Sequence, residues 1–370
     1  MRRLIAALAW CLVAPAGMLF AGEFVDLPYG WAAVGTQTSD SASFADSSHT
    51  AVFQVRDYPA DAFSSATQMF DAVAGRMSAT GDHGHFTFSG RDAVFGDLTF
   101  VTAGIDVRGY AVFIHDASRN TLLLAYVPLE FYDEFHDELL SCVDSYSPDT
   151  AGRELPGAVS QFYYPFPAPK PVPTSVTIAG RQYRIGIDPK EIEAAQTIID
   201  RETRILAESK QVNITAWKRY YRMLYRDNYH RLDAFMGILS DSLDLADKSA
   251  GDKATSILSW MQGFDYGRTG TFADLSNPLQ TATSETGDCD SRTLLYAIIL
   301  NHLKIRSLLL VSAVYSHSVD GVDIAGPGAR YDYNGTSYLI AELTAKVRIG
   351  LVDKSMADSS GWIPIDLAGG

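Results

Sequence analysis

Between residues 23 and 148 the apolar positions fall mainly in short β-rich or alternating runs. These are residues 50–55 (TAVFQV), 86–89, 98–102, 108–115 (RGYAVFIH) and 121–126 (TLLLAY). Two stretches keep the 3.6-residue period of a helix instead. Residues 62–77 place Phe63, Met69, Phe70 and Val73 on one side, and residues 129–145 do the same with Phe131, Phe135, Leu139 and Leu140. A helix, a meander of strands and a closing helix predict an α+β sandwich built on an antiparallel sheet.

The pattern changes at residue 148. Pro148, Pro156, Pro165, Pro167, Pro169, Pro171 and Pro173 interrupt any ladder, and the alternating prolines from 165 onward favour an extended spacer. A short hairpin is expected next, residues 176–178 against 183–185 with the turn at Gly180. From Asp188 the period becomes helical. Asp188 is an N-cap, Pro189 occupies the first helical position and Glu191 completes a capping box. Helices are predicted over 192–209, 213–227, 229–247 and 252–262, with Trp217, Tyr220, Tyr221, Tyr225 and Tyr229 as core and groove wall. The resulting division is a segment 1–21, a sandwich domain 22–147, a linker with hairpin 148–187 and a second α+β domain 188–370.

Segment 1–21 reads as a secretory signal. Met1-Arg2-Arg3 carries positive charge, residues 4–20 are apolar and uncharged, and Ala21-Gly22 offers a small-residue cleavage point. The alternative, an uncleaved anchor, is marginal in length and is interrupted by Pro15 and Gly17. A periplasmic or secreted location follows, with no stable membrane insertion after cleavage. The whole chain of 370 residues has a formal net charge of −14, which disfavours nucleic acid and anionic lipid as partners. Cys142 and Cys289 remain after cleavage and are too few for a disulfide framework. His83-Gly84-His85 lacks a matching carboxylate spacing and reads as a solvated loop. With no HExxH helix, paired cysteines, EF-hand spacing or glycine-rich phosphate loop, neither a metal nor a cofactor is expected.

Candidate chemistry is concentrated after residue 286. Gly287-Asp288-Cys289-Asp290 opens an apolar helix (TLLYAIILNHL, residues 293–303), which puts Cys289 on the first turn. Free N–H groups and the positive end of the helix dipole favour a thiolate there. A β-rich run (residues 307–315) then delivers His317, 317 − 289 = 28 residues on. A second strand (residues 337–340) delivers Glu342 after a further 342 − 317 = 25 residues. If these strands pair, Cys289, His317 and Glu342 take the roles of nucleophile, base and orienting acid. The plain alternative makes them a buried thiol, a loop histidine and a strand-edge charge.

The segments Trp260-Met261-Gln262-Gly263-Phe264-Asp265-Tyr266, Gly287-Asp288-Cys289-Asp290, His317 and Tyr338…Glu342-Leu343-Thr344 together resemble the bacterial transglutaminase-like cysteine proteases, over roughly residues 190–370. The resemblance implies a papain-like core, a Cys-His-acid triad and acyl transfer from amides. It matches Cys289, His317 and Glu342 to the triad. Ser318 and Glu342 depart from the alanine and aspartate that many relatives carry. Asp366, in Trp362-Ile363-Pro364-Ile365-Asp366, competes for the third place. Gln262 and Gln280 are candidates for an oxyanion-holding amide beside the Cys289 N–H. The element order of the N-terminal half resembles the PsbP-type domains.

The expected activity is a cysteine peptidase or amidase acting on protein or peptide substrates of the cell envelope through a thioester. The alternative is an inactive envelope protein that uses the same fold for binding.

Overall fold

A computed structural model describes residues 23–209 and 213–367. The expected signal segment and its cleavage point lie outside the described residues. Over the described residues the chain is α+β, with a seven-stranded and a five-stranded antiparallel sheet, a two-stranded hairpin and helices packed on them.

The first sheet contains β1 (Ala32–Ala33), β2 (Ser41–Ala45), β3 (Val52–Pro59), β4 (Thr80–Phe88), β5 (Arg91–Thr102), β6 (Ile105–His115) and β7 (Arg119–Pro128), in the order β1-β2-β3-β7-β6-β5-β4. Helix α1 (Ala66–Met77) covers one face, and α2 (Tyr132–Ser145) with α3 (Ala158–Tyr163) covers the other. Strands β6 and β7 are consequently apolar on both sides. Tyr110, Val112 and Ile114 pack toward α2, while Ala111 and Phe113 between them pack toward α1. Ser65 caps α1 by accepting from the Gln68 N–H. His83 and His85 lie in β4 rather than in a loop: His83 stacks on Phe70 and His85 pairs with Asp92. That strand is apolar only toward its end, so its polar start hid it from the periodicity.

The proline-rich stretch is less of a spacer than its composition predicts. It contains α3, and its hairpin is longer than expected, β8 (Val172–Ile178) against β9 (Arg181–Ile187). Val176, Ile178, Ile185 and Ile187 of this hairpin enter the core of the C-terminal half. The helices that follow are α4 (Pro189–Glu208), α5 (Ile214–Asn228), α6 (Asp233–Ser242), α7 (Ala250–Met261), α8 (Pro278–Ser284) and α9 (Cys289–His302). The long helix predicted over 229–247 is a 3-10 turn followed by the shorter α6, and Asp244 is left-handed (φ 50°) just past its end.

The second sheet runs β12-β13-β11-β10-β14, from β10 (Ser307–Ser312), β11 (His317–Val322), β12 (Arg330–Tyr333), β13 (Thr336–Ala341) and β14 (Ile363–Ile365). Its inner face packs Leu309, Val311, Val322 and Ala341 against α9, in which every residue from Leu294 to Leu300 is buried. Its outer face carries a smaller cluster of Leu308, Leu310, Val319, Tyr338, Ile340 and Trp362.

The two halves are joined through a buried polar seam. Arg201 of α4 contacts Asp144 of α2 at 2.7 Å and Glu202 at 2.8 Å. Three arginines on one side of α5 extend the seam. Arg219 reaches Glu202 and Ser141, Arg222 forks onto Asp26, and Arg226 donates to the carbonyls of Asp144, Tyr146 and Leu155. Charges this deep are tolerated because nearly every donor has an acceptor. Among the described residues no helix is long and apolar enough to cross a membrane.

Candidate active site

Cys289 is the first residue of α9, and Asp288 before it is the N-cap. The Asp288 carboxylate accepts from both the N–H and the hydroxyl of Ser291. The cap fixes the helix start and with it the direction of the thiol, which is 8% exposed. The approach is anchored as well. Asp265 and Thr286 form an isolated parallel bridge, so the loop between them closes immediately ahead of Gly287.

His317 opens β11, opposite Ser312 at the last pair of the β10–β11 ladder. Ser316 before it is left-handed (φ 49°), an uncommon conformation for a residue with a side chain. The turn that carries it is held by Ser312, whose hydroxyl accepts from the Tyr315 N–H and donates to Gly361. Glu342 lies just beyond β13, whose ladder with β11 ends at the pair Asp320 and Ala341. One Glu342 oxygen lies 2.7 Å from His317 Nε2, and the other accepts from the N–H and hydroxyl of Thr344. The same imidazole is hydrogen-bonded to the Cys289 thiol.

The charge states follow from this packing. Burial alone would lower the His317 pKa, but the hydrogen bonds to Cys289 and Glu342 and the negative charge of both push it up to about 10. Burial would favour a neutral Glu342, yet His317 and Thr344 hold its carboxyl below the ordinary glutamate value. Asp290 turns away toward Ser318 and Tyr221. Burial raises its pKa against those two hydrogen bonds.

Cys289, His317 and Glu342 therefore converge, whereas other candidates do not. Asp366 follows β14, where Ile365 pairs with Leu309, so it sits beside Leu308 at the end of β10 away from Ser312. At about 3.3 Å per residue that is roughly 13 Å along the strand. Gln262 spends its amide nitrogen on the carbonyls of Glu342 and Val347, both at 2.8 Å. It braces the turn that carries the acid and does not offer an oxyanion contact. Gln280 is engaged with Asn277 through backbone and side chain. Among the described residues no group of three or more histidines, cysteines, aspartates or glutamates is placed to hold a metal ion.

The sequence reading gave no role to Arg292 or Trp362, and both belong to this neighbourhood. The Trp362 ring lies 6.5 Å from that of His317 and donates to the Met356 carbonyl. Arg292 is 2% exposed one helical turn below Cys289. A lone arginine in an otherwise apolar helix was the available signal.

No family model and no curated protein matches the chain. Solved structures show faint likenesses. A cyanobacterial PsbP from Synechocystis is 13% identical, covers 38% of this chain and 97% of its own, and has a TM-score of 0.29. A protein of unknown function from Pseudomonas aeruginosa is 13% identical over 29% of this chain and 72% of its own, with a TM-score of 0.20. A structure from Bacteroides thetaiotaomicron is 9% identical over 88% of this chain and 87% of its own, with a TM-score of 0.26. The first falls on the N-terminal region, whose element order resembles PsbP-type domains. At these values none of the three bears on activity, and none bears on the transglutaminase-like resemblance.

Proposed function

We propose that the chain is a periplasmic or secreted cysteine hydrolase of the transglutaminase-like kind, acting on amide bonds of protein or peptide substrates. The observation that carries this reading is a thiol on the first turn of a buried helix, hydrogen-bonded to an imidazole whose Nε2 is 2.7 Å from a carboxylate.

In the proposed mechanism Cys289 Sγ attacks the amide carbon and His317 holds the thiol proton. Glu342 fixes the ring and stabilises its positive charge. The oxyanion is received by the backbone N–H of Cys289 at the positive end of α9. Collapse breaks the C–N bond, and His317 gives its proton to the leaving amine. Water then attacks the thioester with His317 as base, which releases the acid and restores the thiol. Water is the proposed acceptor, because a dilute amine needs a binding pocket of its own to compete with it. Substrates are drawn from envelope proteins or peptides, consistent with the predicted export of the chain.

The deep placement of the thiol, 8% exposed, also suits a second reading in which the same fold serves only for binding. One measurement separates them. The alkylation rate of Cys289 is followed against pH in the protein without residues 1–21 and in its His317→Ala variant, read by mass spectrometry of the Cys289 peptide. Fast alkylation at pH 6 that depends on His317 supports the hydrolase. Slow, histidine-independent alkylation with a midpoint near about 8.5, the value of a free thiol, overturns it in favour of the binding protein.

A further inference from the structure

Arg292 binds no substrate in the mechanism above, yet its guanidinium joins the approach to Cys289, the turn that carries Glu342 and the end of α7. Nε donates to the Gly287 carbonyl at 2.9 Å, in the approach to Cys289. Nη1 donates at 3.3 Å both to Met261, the last residue of α7, and to Leu343, the residue after Glu342. Nη2 donates to Phe264 at 3.0 Å, in the loop that follows α7. The guanidinium carbon also lies 5.8 Å from the centre of the Phe264 ring. Four carbonyls from three separate stretches of backbone thus meet on one planar group.

A buried cation bonded only to carbonyls is an expensive way to hold a fold together. Burial pushes the Arg292 pKa below its usual value, as expected for a charge without a bonded carboxylate. An apolar side chain would fill the same space with less desolvation. What it would lack is direction: the fixed fork of a guanidinium sets the mutual position of the groups it binds. Those groups include the backbone immediately before the nucleophile and immediately after the acid. Gln262 grips the same acid-bearing turn from the α7 side, at Glu342 and Val347.

We propose that Arg292 is a positioning residue, which sets the distance between the Cys289 helix and the Glu342 turn and so keeps thiol, imidazole and carboxylate in line. The proposal rests on the cysteine-hydrolase reading and goes beyond it by assigning the control of its geometry. Misplacement of about 1 Å can lower a rate by about a hundredfold, so the effect on the thiol is measurable without a known substrate.

The test uses Arg292→Lys, which keeps the charge and cannot reach four carbonyls. Arg231→Lys serves as the control, since Arg231 is 4% exposed in the seam between the halves and bonds to Asp227 and Ser160. Both variants are melted, and their Cys289 alkylation by iodoacetamide is followed from pH 5 to 9. The expected result is at least a tenfold loss of the His317-dependent alkylation at pH 6 in Arg292→Lys, with the wild-type profile kept in Arg231→Lys at a similar loss of Tm. Equal profiles in wild type and both variants would make Arg292 merely structural and overturn the proposal, with the hydrolase reading intact. A wild type without His317-dependent alkylation overturns both. Should Arg292→Lys fail to fold, Gln262→Met removes the second grip on the same turn and is expected to give the same loss, and an unchanged profile there overturns the proposal equally.

Discussion

His317 Nε2 and Glu342 Oε2 stand 2.7 Å apart, although 342 − 317 = 25 residues separate them in the chain. The contact exists because β11 and β13 are antiparallel neighbours in the sheet, so β11 begins at the side where β13 ends and α9 starts. It also sets the direction of the ring. With Nε2 committed to the carboxylate, the same imidazole is hydrogen-bonded to the Cys289 thiol. Because Thr344 occupies the second carboxylate oxygen, Glu342 cannot swing away without losing two further hydrogen bonds.

Glu342→Gln is therefore expected to damage the site while leaving the shape of the side chain. The amide can present a donor to the imidazole, which favours the wrong tautomer and removes the charge that stabilises the imidazolium. Alkylation of Cys289 at pH 6 should fall by about 10- to 1000-fold. Asp366→Asn is expected to leave the rate within about twofold, since β14 carries Asp366 to the far end of β10. Comparable losses in the two variants would reassign the acid.

The pH dependence of stability should carry the signature of the same pair. The fold raises the His317 pKa from 6.5 to about 10, so the stabilisation it gives is fully present below about 6.5 and is lost as pH rises toward 10. Glu342 is shifted the other way, so its contribution is present above the ordinary glutamate value and is lost as pH falls below it. The Tm difference between wild type and His317→Asn is accordingly expected to be larger at pH 6 than at pH 10. Thermal melts at the two pH values decide it, and a difference independent of pH would mean that the imidazole is not held as a cation.

Much of this arrangement was legible in the sequence because it is local or periodic. The Asp188-Pro189 start of α4 and the first turn of α9 at Cys289 are signalled by neighbouring residues, and both helices start there. The apolar runs that precede His317 and Glu342 end in turn residues, although the first stops at Ser312 and His317 opens the next strand, β11. Other features depend on partners far away in the chain. The first half of β4 is polar because its residues face solvent, so only its pairing with β5 makes it a strand. Gln262 read as a free amide because nothing nearby in sequence reveals that the backbone at 342 and 347 takes both its bonds. Arg292 was silent for the same reason, with its acceptors at 261, 264, 287 and 343.

The seam between the halves yields a prediction about cooperativity. Arg201 is buried between Asp144 and Glu202, and Asp144 also receives the N–H groups of Val159 and Ser160 at the start of α3. Arg201→Met removes the cation between the halves and leaves Asp144 only the N–H groups of α3 and Glu202 only Arg219 and Ser141. A loss of about 3–5 kcal/mol is expected, as for other buried pairs deprived of one member. Calorimetry of wild type should give one transition for both halves. The variant should melt earlier, and two separated transitions would show that Arg201 couples the halves. An unchanged Tm would mean that the seam contributes no net stability.

Asp320 gives the opposite sign. It lies on β11 between Leu309 and Ala341, is 0% exposed, and among the described residues neither of its carboxyl oxygens has a hydrogen-bond partner. Burial raises its pKa well above the ordinary aspartate value, so the fold holds the neutral acid while the unfolded chain releases the proton. Stability is thus lost as pH rises above about 4, where the unfolded aspartate ionises, up to the folded value. Asp320→Val keeps strand propensity, removes the unsatisfied carboxyl and deletes that slope. The variant is expected to be more stable at pH 7 by roughly 1–3 kcal/mol, with a gain that grows between pH 4 and pH 8. Melts across that range test it. A loss of stability at every pH would show that the carboxyl is satisfied by a bound water or ion.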